Sequence, residues 1–570
     1  MPRGKRTIFV QGENEPMAAL EVDFVIVGAG SSGCVLANRL SADPGVQVAI
    51  VEAGPRDSSF WIHLPIGYGR TMWDPKVNWK FQTEPEPSMA GRQVYWPRGR
   101  VLGGSSSING LIVIRGQKED YDRWQTQGCP GWAWSDVLPY FIKLESNAEF
   151  GGDQLHGTSG PLPVSSISRK HPLIEAFIAA AEANGVPRTK DFNGRSQEGA
   201  GYFQLTTRNG WRMSAAAAYL KPAEKRSNLE IFTDTQVLRV LFDGRRAVGV
   251  VCRTAEGTRT IRARRGVVLS AGAIQSPQLL MLSGIGPGKH LHEMGVPVLI
   301  DRPAVGQNLQ DHLQFRLIFK ANKAITTNDS LRSLWGRAKL GLEWLFFRRG
   351  ALAVGINQGG LFARLMPDSK TPDIQFHVAT LSADMAGGKV HDFPGFTLSV
   401  CQLRPESRGF IALASADPLA QPLIHANYMT TEKDRAYAVK SIAFARKLAQ
   451  TKPLSGLVAE EVMPGPQVRT EPEILEFARR NGATIFHPSG TCRMGSDEAA
   501  VVDPRLRVRG VSGLWVVDCS IMPTLVSGNT NVPAIMVAEK AADMIREDCS
   551  ENNTTGRTTP WQAETFRIAI

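Results

Sequence analysis

The alternation of apolar and polar positions divides the chain into recognisable pieces. Near its start, DFVIV (23–27) is a short β-branched run of the kind that forms a buried parallel strand. It leads into GAGSSG (28–33), after which CVLANRL carries apolar residues at helical spacing. A second run, VQVAIVEAG (46–54), closes a strand, glycine turn, helix, strand unit. Much later, FTLSVCQL (396–403) and FIALAS (410–415) read as antiparallel strands, and PAIMVAEKAADMI (533–545) reads as a helix. Segment 330–350, SLRSLWGRAKLGLEWLFFRRG, mixes leucines and aromatics with arginine and lysine. Such a helix can lie in a lipid interface; the preferred reading is a helix of a second domain with its apolar side buried.

The glycine turn carries chemistry. Gly28 permits a tight turn, Gly30 lets backbone approach a pyrophosphate, and Gly33 lets helix and strand pack closely, with the helix N-terminus facing the phosphates. Glu52 falls 19 residues after Gly33, where an acid can hold a ribose hydroxyl. Three further glycine-rich stretches lie far apart, at 97–110, 270–286 and 526–533. If all serve one site, the fold is α/β plus α+β: a Rossmann-like nucleotide-binding domain built from 20–160, 206–315 and 484–548. A substrate domain of antiparallel sheet covered by helices then takes 161–205 and 316–483. Stretches 1–19 and 549–570 read as loosely ordered tails.

Composition narrows the classes. A chain of 570 residues with 42% hydrophobic and 21% charged residues can bury a large cofactor. Its net charge of +11 comes from 65 bases scattered among 54 acids without a long single-sign run, which argues against nucleic-acid binding. Seven dispersed cysteines form neither C-x-x-C nor a zinc spacing, so no metal site is expected and a reducing compartment is. With no secretory signature and no run of eighteen apolar residues, the expected location is cytoplasmic, at most peripheral on the inner face of a membrane.

One histidine stands in an unusual setting: His487 in IFHPSGTCRMG (485–495), in a chain with ten histidines. Taken with GRVLGGSSSIN, SAGAIQSPQLLMLSGIG, VGQNLQDH and NTNVPAIMVAEKAA, in that order and spacing, the chain resembles the glucose–methanol–choline (GMC) flavoprotein oxidoreductases from about 20 to 548. Within that family it is most similar to bacterial FAD-linked alcohol, sorbose and polyethylene-glycol dehydrogenases, and more distantly to choline dehydrogenase.

The resemblance implies FAD, with its adenosine end on the first unit near Gly28, Gly30, Ser31, Ser32, Gly33 and Glu52. It implies flavin contacts from Gly103, Gly104, Ser105, Asn109 and Gly110, an adenine contact at Val237, and Ala271 and Asp518 near the rest of the cofactor. Some relatives attach FAD through a histidine at the position of Ile108, so attachment here is expected to be non-covalent. Oxidising an alcohol by hydride transfer to flavin N5 also requires the hydroxyl proton to leave, and histidine suits that at neutral pH. His487 matches the family's active-site histidine, and Asn531 the position of a second polar group on the substrate oxygen. Asn529 and Asn531 could instead cap the following helix. In the choline-specific position GINQGGLFAR offers Gln358 rather than glutamate, which favours an uncharged alcohol substrate. The expected reaction is FAD-dependent alcohol oxidation, with electrons passed to a quinone or another acceptor. Alternatives are an oxidase using O2 or a lyase or decarboxylase on the same fold.

Overall fold

The computed structural model describes residues 20–167, 169–385 and 387–554. The expected tail 1–19 and the stretch 555–570 lie outside the described residues. Two seven-stranded sheets organise the rest.

In the first sheet Leu20–Val27 runs parallel between Val48–Val51 and Gly257–Leu269; Leu229–Phe232 extends one side, and Leu514–Val516 pairs in parallel with the far end of Gly257–Leu269. An antiparallel arm, Arg246–Thr254 and Gln236–Asp243, completes it. Val25, Ile26, Val48, Ala49 and Ile50 are fully buried, as expected where helices cover both faces of a parallel sheet. Gly28 has φ +93°, a conformation that L side chains rarely adopt. A Cβ on Gly33 would sit 1.9 Å from the Gly28 carbonyl oxygen, so only glycine lets the helix Ser31–Leu40 start this close to the strand.

The second sheet is antiparallel throughout, in the order Val458–Met463, Leu313–Ala321, Gly395–Gln402, Ile374–Ala379, Asn357–Ala363, Gly199–Tyr202, with Ala483–Thr484 beside Leu313–Ala321. Period-two alternation gives it two faces. Phe315, Leu317, Phe319, Phe376, Val378, Leu398 and Val400 enter the main core. Residues of opposite phase line a cavity: Gln314, Arg316, His377, Ala379, Thr397 and Ser399. Register places Arg316 opposite Ser399 and Ser399 opposite His377 in one row across the sheet. The stretch FIALAS forms not a strand of this sheet but a separate hairpin, Phe410–Ala412 with Leu423–His425.

The C-terminal helix Asn531–Thr554 continues past 548, where the sequence reading expects a loose tail. The turn before that point is tied to a residue remote in sequence: Arg505 hydrogen-bonds the Asp548 carboxylate at 2.8 Å and the Glu547 carboxylate at 3.2 Å. The amphipathic segment also departs from its preferred reading. It forms the helix Leu334–Phe347, in which only Trp344 is buried. Its remaining apolar side chains face outward because the supporting surface accommodates a single indole.

Candidate active site

The glycine motifs converge because each lies at the carboxyl end of a parallel strand of the first sheet or packs against one that does. Gly28 follows Leu20–Val27, Glu52 follows Val48–Val51, Ala271 follows Gly257–Leu269, and Asp518 follows Leu514–Val516. That edge is where open α/β sheets hold ligands. A cavity of about 300 Å³ begins there and reaches the second sheet. It is lined by Gly28, Gly30, Ser31, Ser32, Glu52, Gly104, Ser105, Asn109, Gly110, Val237, Ala271, Asp518, His487 and Asn531. Gly33 and Gly103, named with them from sequence, do not line it. Gly33 packs helix on strand, and Gly103 turns at φ +86° with its N–H donating to the Ala29 carbonyl at 2.7 Å. The second glycine loop rides on the first, since a Cβ on Gly104 would lie 2.7 Å from Gly30 Cα.

These residues fit a dinucleotide. Beside Gly30 a Cβ would meet no protein atom nearer than 4.0 Å, so the turn leaves an open cradle there. The helix behind it has Gly30 as N-cap and no side-chain capping bond, leaving first-turn amides for an anionic group. Glu52 is held by the backbone N–H groups of Ala29 (2.9 Å) and Gly54 (3.0 Å), and burial raises its pKa to about 7. Asp518 accepts from the Gly272 N–H and Ser276 Oγ, so it also fixes the start of the helix Gly272–Leu282. Asn109 is oriented by Arg212, whose Nη1 donates to its Oδ1 at 2.7 Å.

At the other part of the cavity His487 is buried, 6% exposed, and its backbone N–H donates to Asp311 Oδ1 at 2.7 Å. Asp311 in turn accepts from the Tyr428 hydroxyl. The ring belongs to a hydrogen-bonded chain whose direction follows from elementary chemistry. A carbonyl only accepts, so His312 Nε2, 2.9 Å from Leu403 O, carries hydrogen. Burial pushes the His312 pKa down to about 4, so its Nδ1 is bare and accepts from His487 Nδ1–H at 2.9 Å. Burial, then the neighbouring His312, His377 and Arg98, hold His487 well below the ordinary imidazole range. His487 is therefore neutral with a lone pair on Nε2, toward which Asn529 Nδ2 points at 3.2 Å.

Asn529 is fixed by Gln375, whose Nε2 donates to its Oδ1 at 3.0 Å. Asn531, two residues on, points elsewhere: its Oδ1 accepts from Ser31 Oγ at 2.7 Å, joining the C-terminal helix to the first glycine turn. Sequence reading had singled out Asn531 and considered Asn529 only as a cap; the amide against the histidine is Asn529. His312, His377 and Arg316 were also missed. Their signal, polar residues on one phase of strands whose other phase is apolar, needed strand register to interpret. Gln358 does not line the cavity; it is buried with Nε2 3.4 Å from Thr380 Oγ1, and its neighbour Asn357 lines the wall instead. Arg404 and Arg408 are framework: Arg404 reaches Gln117 and Ser527, and Arg408 reaches Asn308.

The arrangement thus joins a dinucleotide cradle to a positioned neutral imidazole in one cavity. Family models for the N- and C-terminal parts of GMC oxidoreductases match residues 22–314 and 405–538. The chain belongs to the GMC oxidoreductases, and FAD is its cofactor. It is 43% identical over 526 residues to an alcohol dehydrogenase [acceptor] of Pseudomonas putida, covering 92% of this chain and 95% of that one. It is 42% identical over 562 residues to the mitochondrial choline dehydrogenase of Mus musculus, covering 96% and 94%. Among solved structures, pyridoxine 4-oxidase from Mesorbium loti superposes with TM-score 0.83 at 31% identity, covering 92% of this chain and 99% of that one. Formate oxidase of Aspergillus oryzae gives 0.87 at 27%, covering 93% and 99%. Identities of 43% and 42% do not separate an alcohol-type from a choline-type substrate.

Proposed function

We propose that the chain oxidises an uncharged alcohol to an aldehyde or ketone, with His487 as the base for the hydroxyl proton. The observation that carries this reading is the chain Leu403 carbonyl, His312, His487, which leaves Nε2 without hydrogen at the cavity, its lone pair accepting from Asn529 until a substrate hydroxyl takes that place. The direction from which Asn529 Nδ2 approaches Nε2 is one from which a substrate hydroxyl could donate. Bound FAD supplies the hydride acceptor. As Nε2 takes the proton, Nδ1–H stays bonded to His312, so charge develops on a ring already held in place.

Substrate charge follows from the wall. Among the described residues the carboxylates lining the cavity are Glu52 and Asp518, both at the strand ends of the first sheet, whereas the second sheet contributes Arg316. A quaternary ammonium would meet the Arg316 and Arg98 guanidinium groups on the cavity wall and no lining carboxylate on the His487 side, Asp311 standing behind that residue's backbone, which favours an uncharged alcohol over choline. Asn531 remains our candidate for a second polar group on the substrate oxygen, and Asn529 for orienting Nε2. Ile108 lines the cavity without a nucleophile, so the flavin is expected to leave with the supernatant on acid precipitation. The segments 20–160, 206–315 and 484–548 are our proposed cofactor domain, with 161–205 and 316–483 as the substrate domain.

Anaerobic flavin reduction by a panel of aliphatic, aromatic, polyol and polyether alcohols, with choline alongside, tests the reading. Bleaching by uncharged alcohols supports it; bleaching by choline alone defeats it in favour of a choline-type oxidoreductase, and bleaching by none defeats it and leaves the lyase alternatives. Peroxide release in air would assign an oxidase, and its absence with turnover on a quinone a dehydrogenase.

A further inference from the structure

The helix Leu334–Phe347 buries a single side chain, Trp344, against the body and turns most of its large apolar side chains away. Trp344 packs edge-on to Trp211 at 4.6 Å between centroids, and its Nε1 donates to the Gly210 carbonyl at 2.9 Å. The Arg348 guanidinium lies 4.3 Å over the Trp344 ring. On the outer side Leu334, Trp335, Leu342, Leu345, Phe346 and Phe347 are between 52% and 88% exposed. Trp335, Leu342 and Phe346 share one face by helical periodicity, and Trp344, two residues from the last pair, lies opposite. Soluble surfaces rarely leave large apolar side chains contiguous and uncovered.

Charge surrounds this face with one sign. Arg332, Lys339 and Arg349 stand exposed in or beside the helix, whereas Arg348 lies over the Trp211 and Trp344 rings and Arg337 donates back to the Leu331 carbonyl; the helix's one acid, Glu343, is paired with Arg169 at 2.8 Å. The patch is also near the cavity. Phe60, half exposed, packs on Trp344 at 5.8 Å and begins the segment that reaches Tyr68, which lines the cavity with the exposed Met385. Among the described residues no helix is long and apolar enough to cross a membrane, so this face touches a bilayer only from one side.

We propose that the outer face of this helix docks on an anionic lipid bilayer, its aromatic and leucine side chains entering the headgroup region and its arginines and lysine meeting lipid phosphates. A second copy is a poorer occupant, because an isologous contact would bring like charges face to face. Docking sets the neighbourhood of the cavity at the lipid surface, where an apolar alcohol and a lipid-dissolved electron acceptor concentrate. The docking itself does not depend on the alcohol reading.

The test is cosedimentation of the full-length FAD-loaded protein with vesicles of equal parts phosphatidylglycerol and phosphatidylcholine. Wild type should sediment at low salt, less at high salt, and less with phosphatidylcholine alone. The variant W335S/L342S/F346S should lower partition by roughly tenfold or more, and K339E/R349E by roughly tenfold, with FAD content and anaerobic flavin reduction unchanged in both. Wild type remaining in the supernatant, or both variants sedimenting as wild type does, overturns the proposal. Should the triple variant not fold, the charge variant decides alone. A lipid-free dimer in sedimentation velocity that either variant dissolves would assign the face to a second copy instead. Loss of docking with normal flavin reduction, or the reverse, keeps this proposal and the proposed function separately answerable.

Discussion

Two buried histidines in this protein differ in charge, one cationic and one neutral, and the contrast locates the chemistry. His156 sits with Nδ1 3.0 Å from Glu145 and Nε2 3.1 Å from Asp191. Although burial opposes it, the hydrogen bonds to Asp191 and Glu145 raise its pKa to about 9, so it is a cation. His487 is as buried but meets His312 and Asn529 at its two nitrogens, and its pKa falls well below the ordinary range. Burial opposes charge on both rings and is the largest influence on His487; only the carboxylate partners of His156 overcome it. A cation locked between carboxylates is a structural tie. A neutral ring whose accepting nitrogen faces a cavity is suited to act as the base we propose.

The largest effect expected from this comparison is at His487. His487→Ala should keep FAD and the fold while anaerobic flavin reduction slows by about 10²- to 10⁴-fold, roughly 2.7 to 5.5 kcal/mol at the transition state. Stopped-flow reduction within a few-fold of wild type would make that imidazole structural too. His156→Gln should reverse the pattern, costing about 3 kcal/mol of stability by removing the cation between half-buried Asp191 and buried Glu145, which among the described residues keeps only Arg115 as its ion-pair partner, while reduction stays within twofold, as denaturant titration and stopped flow together would reveal.

His312→Gln is expected to slow reduction by roughly 10- to 100-fold, since it removes the acceptor that holds hydrogen on His487 Nδ1. Its distinguishing readout is the pH profile: the variant should lose activity on the acid side at higher pH than wild type. Asn529→Ala and Asn531→Ala should each cost roughly tenfold or less; Asn531→Ala should also weaken FAD retention, because it breaks the bond to Ser31.

The pH dependence of stability separates the two rings by sign. The folded pKa of His156 lies above the unfolded value, so its contribution is complete below about pH 6.5 and lost as pH rises through about 9. The folded pKa of His487, like those of His312 and His377 near 4, lies below the unfolded value. These three therefore withdraw stability as pH falls below about 6.5. Thermal unfolding across pH 5 to 9 should lose its alkaline decline in His156→Gln and part of its acid decline in His487→Ala. An unchanged alkaline limb in His156→Gln would remove the basis of the comparison.

Much of this site was legible before any fold was known. Strand, Gly28, Gly30, Gly33 and Glu52 announce a nucleotide cradle because backbone geometry and helix-end electrostatics act within thirty or so residues, a range that local sequence describes. His487 was legible through its motif and its order behind the other glycine stretches. What chain order leaves undetermined is which side chain faces which. Asn529 and Asn531 are both amides in GNTN, and only the entry of the C-terminal helix beside Ser31 turns one to the first glycine turn and the other to His487. Asn357 and Gln358 exchange places by the same logic, since one step along a strand reverses the face. His312 gains meaning from Leu403 and His487, 91 and 175 residues away. The outward face of Leu334–Phe347 and the helical turn up to 548 depend likewise on Trp211 and Arg505. The sequence alone determined the cofactor cradle, which rests on local backbone chemistry, and singled out His487 through its motif as the base we propose. Tertiary structure decided the tautomer, the charge of each buried ring, the sign of the substrate wall and the uncovered apolar face, because each is a property of partners brought together from far along the chain.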